Sequence, residues 1–412
     1  MNPSIATSIR DFLAGTHRQQ AAFLAELVRV PSDNPPGDCA RHAEAAAKLY
    51  EALGFKVERH PVPPAVCAQH GMISVTNLIV RERFGTGRGP TIALNAHGDV
   101  VPPGTGWTVD PYGGIEQDGA IYGRGAAVSK SDFATFGFAL LALKAAPEGL
   151  DGTVELHLTY DEETGGFVGP QWLLEQGLSK PDFAISAGFA YSIVTAHNGC
   201  LHVEVTVRGK QAHAAMPESG ADALEAATAV LAALYGERHR IAARVSAVEG
   251  IGSPKLTVGL IRGGINTNVV PGEVVMRVDR RIIPEENGDE VEAGLRTLIE
   301  KSVAGQAGIT VEVKRIILAV PMKPAPGVEK LVAALKANAD RELKTDIEVK
   351  GVPLYTDARL YSEKGIPTVL YGAGPRTLLE ARGHAADEHV KLSDLKAATR
   401  VIAATLRDLL KS

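Results

Sequence analysis

Two apolar runs in this chain end in residues that can do hydrolytic chemistry. The first reads Thr91-Ile-Ala-Leu-Asn-Ala-His-Gly-Asp99. His97 and Asp99 leave it two residues apart, so a carboxylate stands ready to hold one ring nitrogen of a metal-binding imidazole. The second leads into Tyr160-Asp-Glu-Glu-Thr-Gly-Gly166. Glu162 and Glu163 are adjacent and point different ways, so one can bind a metal while the other acts as general base on the attacking water. His384, in Arg382-Gly-His-Ala-Ala-Asp-Glu-His389, offers a second imidazole from a polar loop. Each signal alone is weak, since a histidine at a strand end is more often structural and paired glutamates usually sit in a solvated loop. Together, at the strand ends of one α/β sheet, they favour a site, because ligands bind there in open sheets.

Those strand ends must be supplied by the surrounding pattern. Helical spacing covers residues 5–29 and 40–53, and strand-like runs follow at 55–59, 75–80 and 91–95. The last is apolar on both faces, as in a central strand covered by helices. A helix over 132–144, a strand over 153–160 and a short strand over 183–186 continue an α/β alternation, which predicts a sheet covered by helices. Near residue 196 the pattern changes. Leu201, Val203, Val205 and Val207 alternate with His202, Glu204, Thr206 and Arg208, a strand with one wet face. The order strand, helix, strand, strand, helix, strand over 197–315 is that of a ferredoxin-like α+β unit. It is expected as an insertion into a catalytic α/β domain made of 1–196 and 316–412.

Composition narrows the function classes. The 412 residues are 45% apolar and 22% charged, with a formal net charge of -5. That balance lacks the basic footprint of a nucleic-acid binder. The longest apolar runs are too short for a membrane span, and residues 1–20 carry no secretory pattern. Cys39, Cys67 and Cys200 are scattered and odd in number, which suits a reducing, cytoplasmic setting.

The chain resembles the zinc-dependent aminoacylase and carboxypeptidase family, which includes acetylornithine deacetylase, succinyl-diaminopimelate desuccinylase and carboxypeptidase G. The resemblance covers nearly the whole chain. It rests on Ala96-His-Gly-Asp-Val-Val-Pro102, Tyr122-Gly-Arg-Gly125 with Lys130, Asp161-Glu-Glu163, Gly209-Lys-Gln-Ala-His213, Asn268-Val-Val-Pro271, Asp279-Arg-Arg281, Thr356-Asp-Ala-Arg359 and His384. It implies a zinc-peptidase-like catalytic domain, a mixed sheet covered by helices, interrupted by a ferredoxin-like lid that also dimerises. It further implies two zinc ions. His97 would bind the first with positions 128 and 188; Glu163 and His384 would bind the second with position 128, whose carboxylate bridges both. Glu162 would be the general base, and Asp99 would orient His97. His213 would act on a partner subunit's site, and Asn268 and Arg281 would hold a substrate carboxylate.

At two of these positions the chain departs from the family. Position 128 is Val, where a bridging Asp is expected, and position 188 is Gly. Two dications about 3.5–4 Å apart repel strongly without an anion between them. The sequence therefore predicts at most one divalent metal (zinc, cobalt or manganese) on Glu163, His384 and His97, or none. Asp132, one turn beyond Val128, is a conceivable replacement ligand, with a helix N-terminal carboxylate as the simpler reading. Three functions remain open. The first is an amidohydrolase cleaving an N-acyl or amide bond of a small carboxylate-bearing substrate, working as a homodimer through the lid. The second is a metal-independent acid–base enzyme on an amino-acid-like substrate. The third is a carboxylate-binding protein without turnover.

Overall fold

The structure is a computed structural model that describes residues 3–411, with side chains from residue 9 onward apart from that of residue 378. The chain divides into two compact units. One comprises 1–195, 324–350 and 356–412, and the other 196–323 with 351–355. The second unit thus runs past the expected end at 315, because its last strand continues to Ala319 and Met322 bridges back to His197.

In chain order the first unit begins with strands β1 (Val57–Pro61), β2 (Thr76–Phe84), β3 (Thr91–His97), β4 (Ile115–Gln117), β5 (Ala120–Tyr122), β6 (Gly152–Thr159), β7 (Phe183–Ser186) and β8 (Ser192–His197). The second contributes β9 (Gly199–Arg208), β10 (Lys255–Gly263), β11 (Glu273–Ile282) and β12 (Thr310–Ala319). β13 (Glu348–Val352), β14 (Thr368–Leu370) and β15 (His389–Lys391) complete the set. An eight-stranded mixed sheet has the order β1-β2-β6-β3-β7-β14-β8-β13. Its centre is parallel: β3 pairs with β6 and β7, and β7 with β14. All of β3 beyond Thr91 is buried, as its two apolar faces require. A second, three-stranded sheet joins β15, β5 and β4.

The helix Lys130–Ala145 packs against β3 and β6 and also against the helices Pro3–Val28 and Leu392–Leu410. It buries Phe133, Phe136, Phe138, Leu140 and Leu143 around its circumference, as a helix covered on all sides must. It starts two residues earlier than the apolar pattern predicts. Lys130 is polar but buried, donating from Nζ to the carbonyls of Leu27 and Val30.

The second unit is a four-stranded antiparallel sheet in the order β10-β11-β9-β12, with helices Ala223–Ile241 and Gly288–Ser302. Asp222 and Asn287 cap them, each side chain accepting two backbone N–H groups. Leu201, Val203, Val205, Val274, Met276 and Val278 share a core with the buried leucines and valines of both helices. The alternate residues of β9 and β11 form the opposite face. Among the described residues, no helix is long and apolar enough to cross a membrane.

Candidate active site

β3 and β6 lie side by side in parallel, with His97 opposite Thr159, so the residues that follow each strand emerge together. His97 closes β3, and Glu162 and Glu163 open a single 3₁₀ turn just after β6. Gly98 is required between His97 and Asp99, since a Cβ there would collide with the Tyr160 ring. Ser129 clamps the His97 backbone, accepting from its N–H and donating to its carbonyl, both at 3.1 Å.

Asp99 is fully buried and joins the two strand ends. Its Oδ1 lies 3.4 Å from His97 Nδ1, which is also 3.0 Å from the Asp99 carbonyl. Its carboxylate accepts the backbone N–H groups of Glu162 (3.3 Å) and Glu163 (3.2 Å) and the Asn34 amide (3.0 Å). With Nδ1 so engaged, His97 presents Nε2, 4.0 Å from Glu162 Oε2. His97, Glu162 and Glu163 each bring one potential ligand atom within 4.8 Å of the others. His384 adds its Nε2 at 3.2 Å from Glu163 Oε1. It sits on a loop held in left-handed conformation at Arg382, His384 and Asp387.

The charges are crowded. Burial pushes the Glu162 carboxyl well above the ordinary value; His97 opposes this, while Glu163, Asp357 and Asp99 reinforce it. Burial works against a charged His97, yet Asp99, Glu162 and Glu163 hold its pKa well above the usual imidazole value. Glu163 raises that of His384. Behind them Asp357 is buried and pushed up to about 7, chiefly by burial. Arg359 ties the end of the glutamate turn in place by donating to the Gly165 carbonyl at 2.6 Å.

Position 128 brings no donor: the Val128 side chain packs against the hydrophobic core. Its backbone N–H, with that of Ala127, binds Glu388 Oε1 at 3.0 and 3.1 Å, while Glu388 Oε2 meets Arg124 at 2.6 Å. Position 188 is sterically closed, because a Cβ there would lie 2.8 Å from Leu370 Cβ and 2.9 Å from the Tyr371 nitrogen. Asp132 stands outside the convergent group of His97, Glu162 and Glu163. It is buried, and its two oxygens accept the N–H groups of Ala373 (2.7 Å) and Gly188 (3.3 Å), with burial raising its pKa to about 7. Gly188→Glu is therefore expected to restore no metal and to cost about 1–3 kcal/mol through overpacking. Thermal melting with zinc titration checks this, and tighter zinc binding without lost stability contradicts it.

The other site residues from the sequence lie in the second unit, at two places. His213 bridges Val269, Ala214 N–H donates to the Asn268 carbonyl at 3.0 Å, and both His213 and Asn268 are exposed. They flank the start of β11, where Glu273 pairs with Arg208. Arg281 is at the far end, opposite Cys200. Arg281 lies eight residue steps along β11 from Glu273, roughly 27 Å at 3.4 Å per step.

Across the ladder from Asp279 stands His202, Nε2 to Oδ2 3.4 Å. Asp279, with Cys200 beside it, pushes the imidazole pKa up to about 9 against burial. A raised imidazole pKa contributes stability fully present below the unfolded value of 6.5 and lost as pH rises through about 9. The His202 side chain is 34% exposed, so screening limits the effect to about 1 kcal/mol. The melting-temperature difference between the native chain and His202→Gln should shrink over pH 6.5–9. A difference constant across that window contradicts the pairing.

The sequence profile of peptidase family M20/M25/M40 matches residues 93–408. The chain belongs to that family. An acetylornithine deacetylase of Myxococcus xanthus is 31% identical over 389 residues, covering 93% of this chain and 95% of its relative. A succinyl-diaminopimelate desuccinylase of Granulibacter bethesdensis is 29% identical over 402 residues, covering 93% and 96%. A dinuclear metal-binding M20 peptidase of Bacillus subtilis shares the fold with a TM-score of 0.69 at 17% identity, covering 96% of this chain and 99% of its own.

As an M20 peptidase-family member the chain is a hydrolase acting on amide bonds. Asn34 and Glu388 also shape the site without standing among the motif residues. Asn34 carried no signal of its own. Glu388 did, as a carboxylate in the same polar run as His384. Its neighbour His389 pairs with Tyr122 in a sheet and stacks on its ring at 4.8 Å.

Proposed function

We propose that the chain hydrolyses an N-acyl or amide bond of a small, carboxylate-bearing, amino-acid-derived substrate, using at most one divalent metal. The observation that carries this reading is Glu162, a largely buried carboxyl with a raised pKa, 4.0 Å from a histidine fixed by Asp99. A raised pKa suits a group that must both take and return a proton. The names of the two curated relatives, a deacetylase and a desuccinylase of amino-acid derivatives, favour this substrate class.

The donor set fits one cation and not two. His97, Glu162 and Glu163 converge, with His384 beside Glu163, whereas Val128 has no oxygen to stand between two ions. Among these, His97, Glu163 and His384 would hold the ion. Such an ion supplies Lewis-acid polarisation of the scissile carbonyl. Glu162 deprotonates the attacking water and passes that proton to the departing amine. Asp99 keeps His97 in one orientation, and Glu163 holds His384 against the same centre. Arg281 and Asn268 hold the substrate carboxylate, and His213 stabilises the oxyanion.

The ferredoxin-like insertion serves as lid and dimerisation surface. Arg281 and the pair His213 and Asn268 are a strand length apart, so one small substrate reaches both only when His213 and Asn268 come from a partner copy. The edge strand β10 supports a homodimer, with Leu260, Ile261 and nearby Ile265 exposed. Three free, buried cysteines fit a cytoplasmic setting.

The test is turnover of an N-acyl amino-acid panel before and after chelation. Hydrolysis lost with chelator and restored by zinc, cobalt or manganese is expected. Activity indifferent to chelator would shift the reading to metal-independent acid–base chemistry, which the loss of the carboxylate at position 128 favours. Ligand-induced stabilisation without turnover under any metal would leave a carboxylate-binding protein.

A further inference from the structure

We infer that Asp279 and His202 are positioning residues that hold Arg281 as a clamp for a single substrate carboxylate; this rests on the carboxylate-bearing substrate proposed above. The three side chains share the face of the four-stranded sheet that points away from its helices, because they alternate with Leu201, Val203 and Val278 of the core. Asp279 takes the Arg281 Nε on both oxygens, at 3.0 and 3.1 Å. That fixes the plane of the guanidinium. Among the described residues, neither Nη of Arg281 has a hydrogen-bond partner, so the two-pronged edge that matches a carboxylate is left open. The Tyr355 ring lies 5.8 Å from the guanidinium carbon and supports it from one side.

The charge count explains why His202 belongs to the device. Arg281 and Asp279 alone are neutral, and a neutral pair attracts an anion weakly. His202, 3.4 Å from Asp279, supplies a second cation for that one carboxylate and leaves the trio with one net positive charge, enough for one carboxylate. Its raised pKa keeps that charge at neutral pH. The next pair along the same face does not compete, because Arg277 and Glu204 satisfy each other at 3.0 Å.

The experiment is isothermal titration with N-acetyl-L-methionine and with N-acetyl-L-methioninamide, in a Glu162→Gln background to block turnover. The acid is expected to bind on the order of 10-fold more tightly than the amide, a charge-assisted pair's worth. His202→Gln should erase that preference, Asp279→Asn, which frees the guanidinium plane but keeps its charge, should weaken it, both should leave amide affinity unchanged, and His202→Lys should recover part of it. A merely structural role would weaken acid and amide alike, and that result overturns the inference. A preference intact in both variants also overturns it while leaving the carboxylate reading standing. No preference before either substitution sinks both. Should Asp279→Asn fail to fold, His202→Gln, at a partly exposed position, gives the same decision.

Discussion

Glu162→Gln is expected to lower kcat by about 10²–10⁴-fold, the usual range for removing a general acid–base group. The amide keeps the size and one acceptor of the carboxylate but cannot take a proton from water or return it to an amine. Asp99 binds the backbone N–H of Glu162, not its side chain, so the turn that carries it should survive the change. KM for an N-acyl amino acid should therefore move by less than the kcat effect. Steady-state kinetics on the best substrate of the panel decides it. A variant within a few-fold of the native kcat would assign the proton transfer to another group.

Glu388→Ala should produce the largest loss of stability. Glu388 and Arg124 are buried together, with side chains 1% exposed, and removing one partner leaves a guanidinium without its counter-charge. Breaking such a pair typically costs about 3–5 kcal/mol. The same change also frees the N–H groups of Ala127 and Val128, the segment beside His97 and Ser129. Denaturant unfolding of the two proteins measures the loss. Glu388→Gln should lose less, because it keeps an acceptor for those N–H groups. Equal stability of native and Glu388→Ala proteins would contradict the role of Glu388 as the anchor of this loop.

Much of the arrangement was legible in the chain. The run Thr91–Asn95 is apolar on both faces, so a covered central strand follows, and the His97-Gly-Asp99 spacing then places an imidazole and its carboxylate at that strand's end. The alternation from Leu201 to Arg208 likewise announced a strand with one wet face. Other features depend on contacts that sequence spacing cannot supply. Arg124 and Glu388 are 264 positions apart, and nothing local pairs them. Asp132 looked like a helix-terminal acid or a substitute ligand, but its partners, Gly188 and Ala373, come from distant segments. The glycine at 188 read as a lost ligand. Its steric reason, the close approach of Leu370 and Tyr371, is visible only in three dimensions. The family resemblance pairs Asn268 with Arg281 as carboxylate holders, but Asn268 precedes β11 and Arg281 stands near its far end, a strand length away.

Zinc titration of metal-stripped protein, followed by native mass spectrometry, tests most directly whether a hydrolytic site that uses Glu162 works without a carboxylate at position 128. One tightly held zinc per chain, weakened by Glu163→Ala or His97→Ala and unaffected by Asp132→Asn, is the predicted result. Two zinc ions per chain, held with similar affinity despite Val128, would contradict the account.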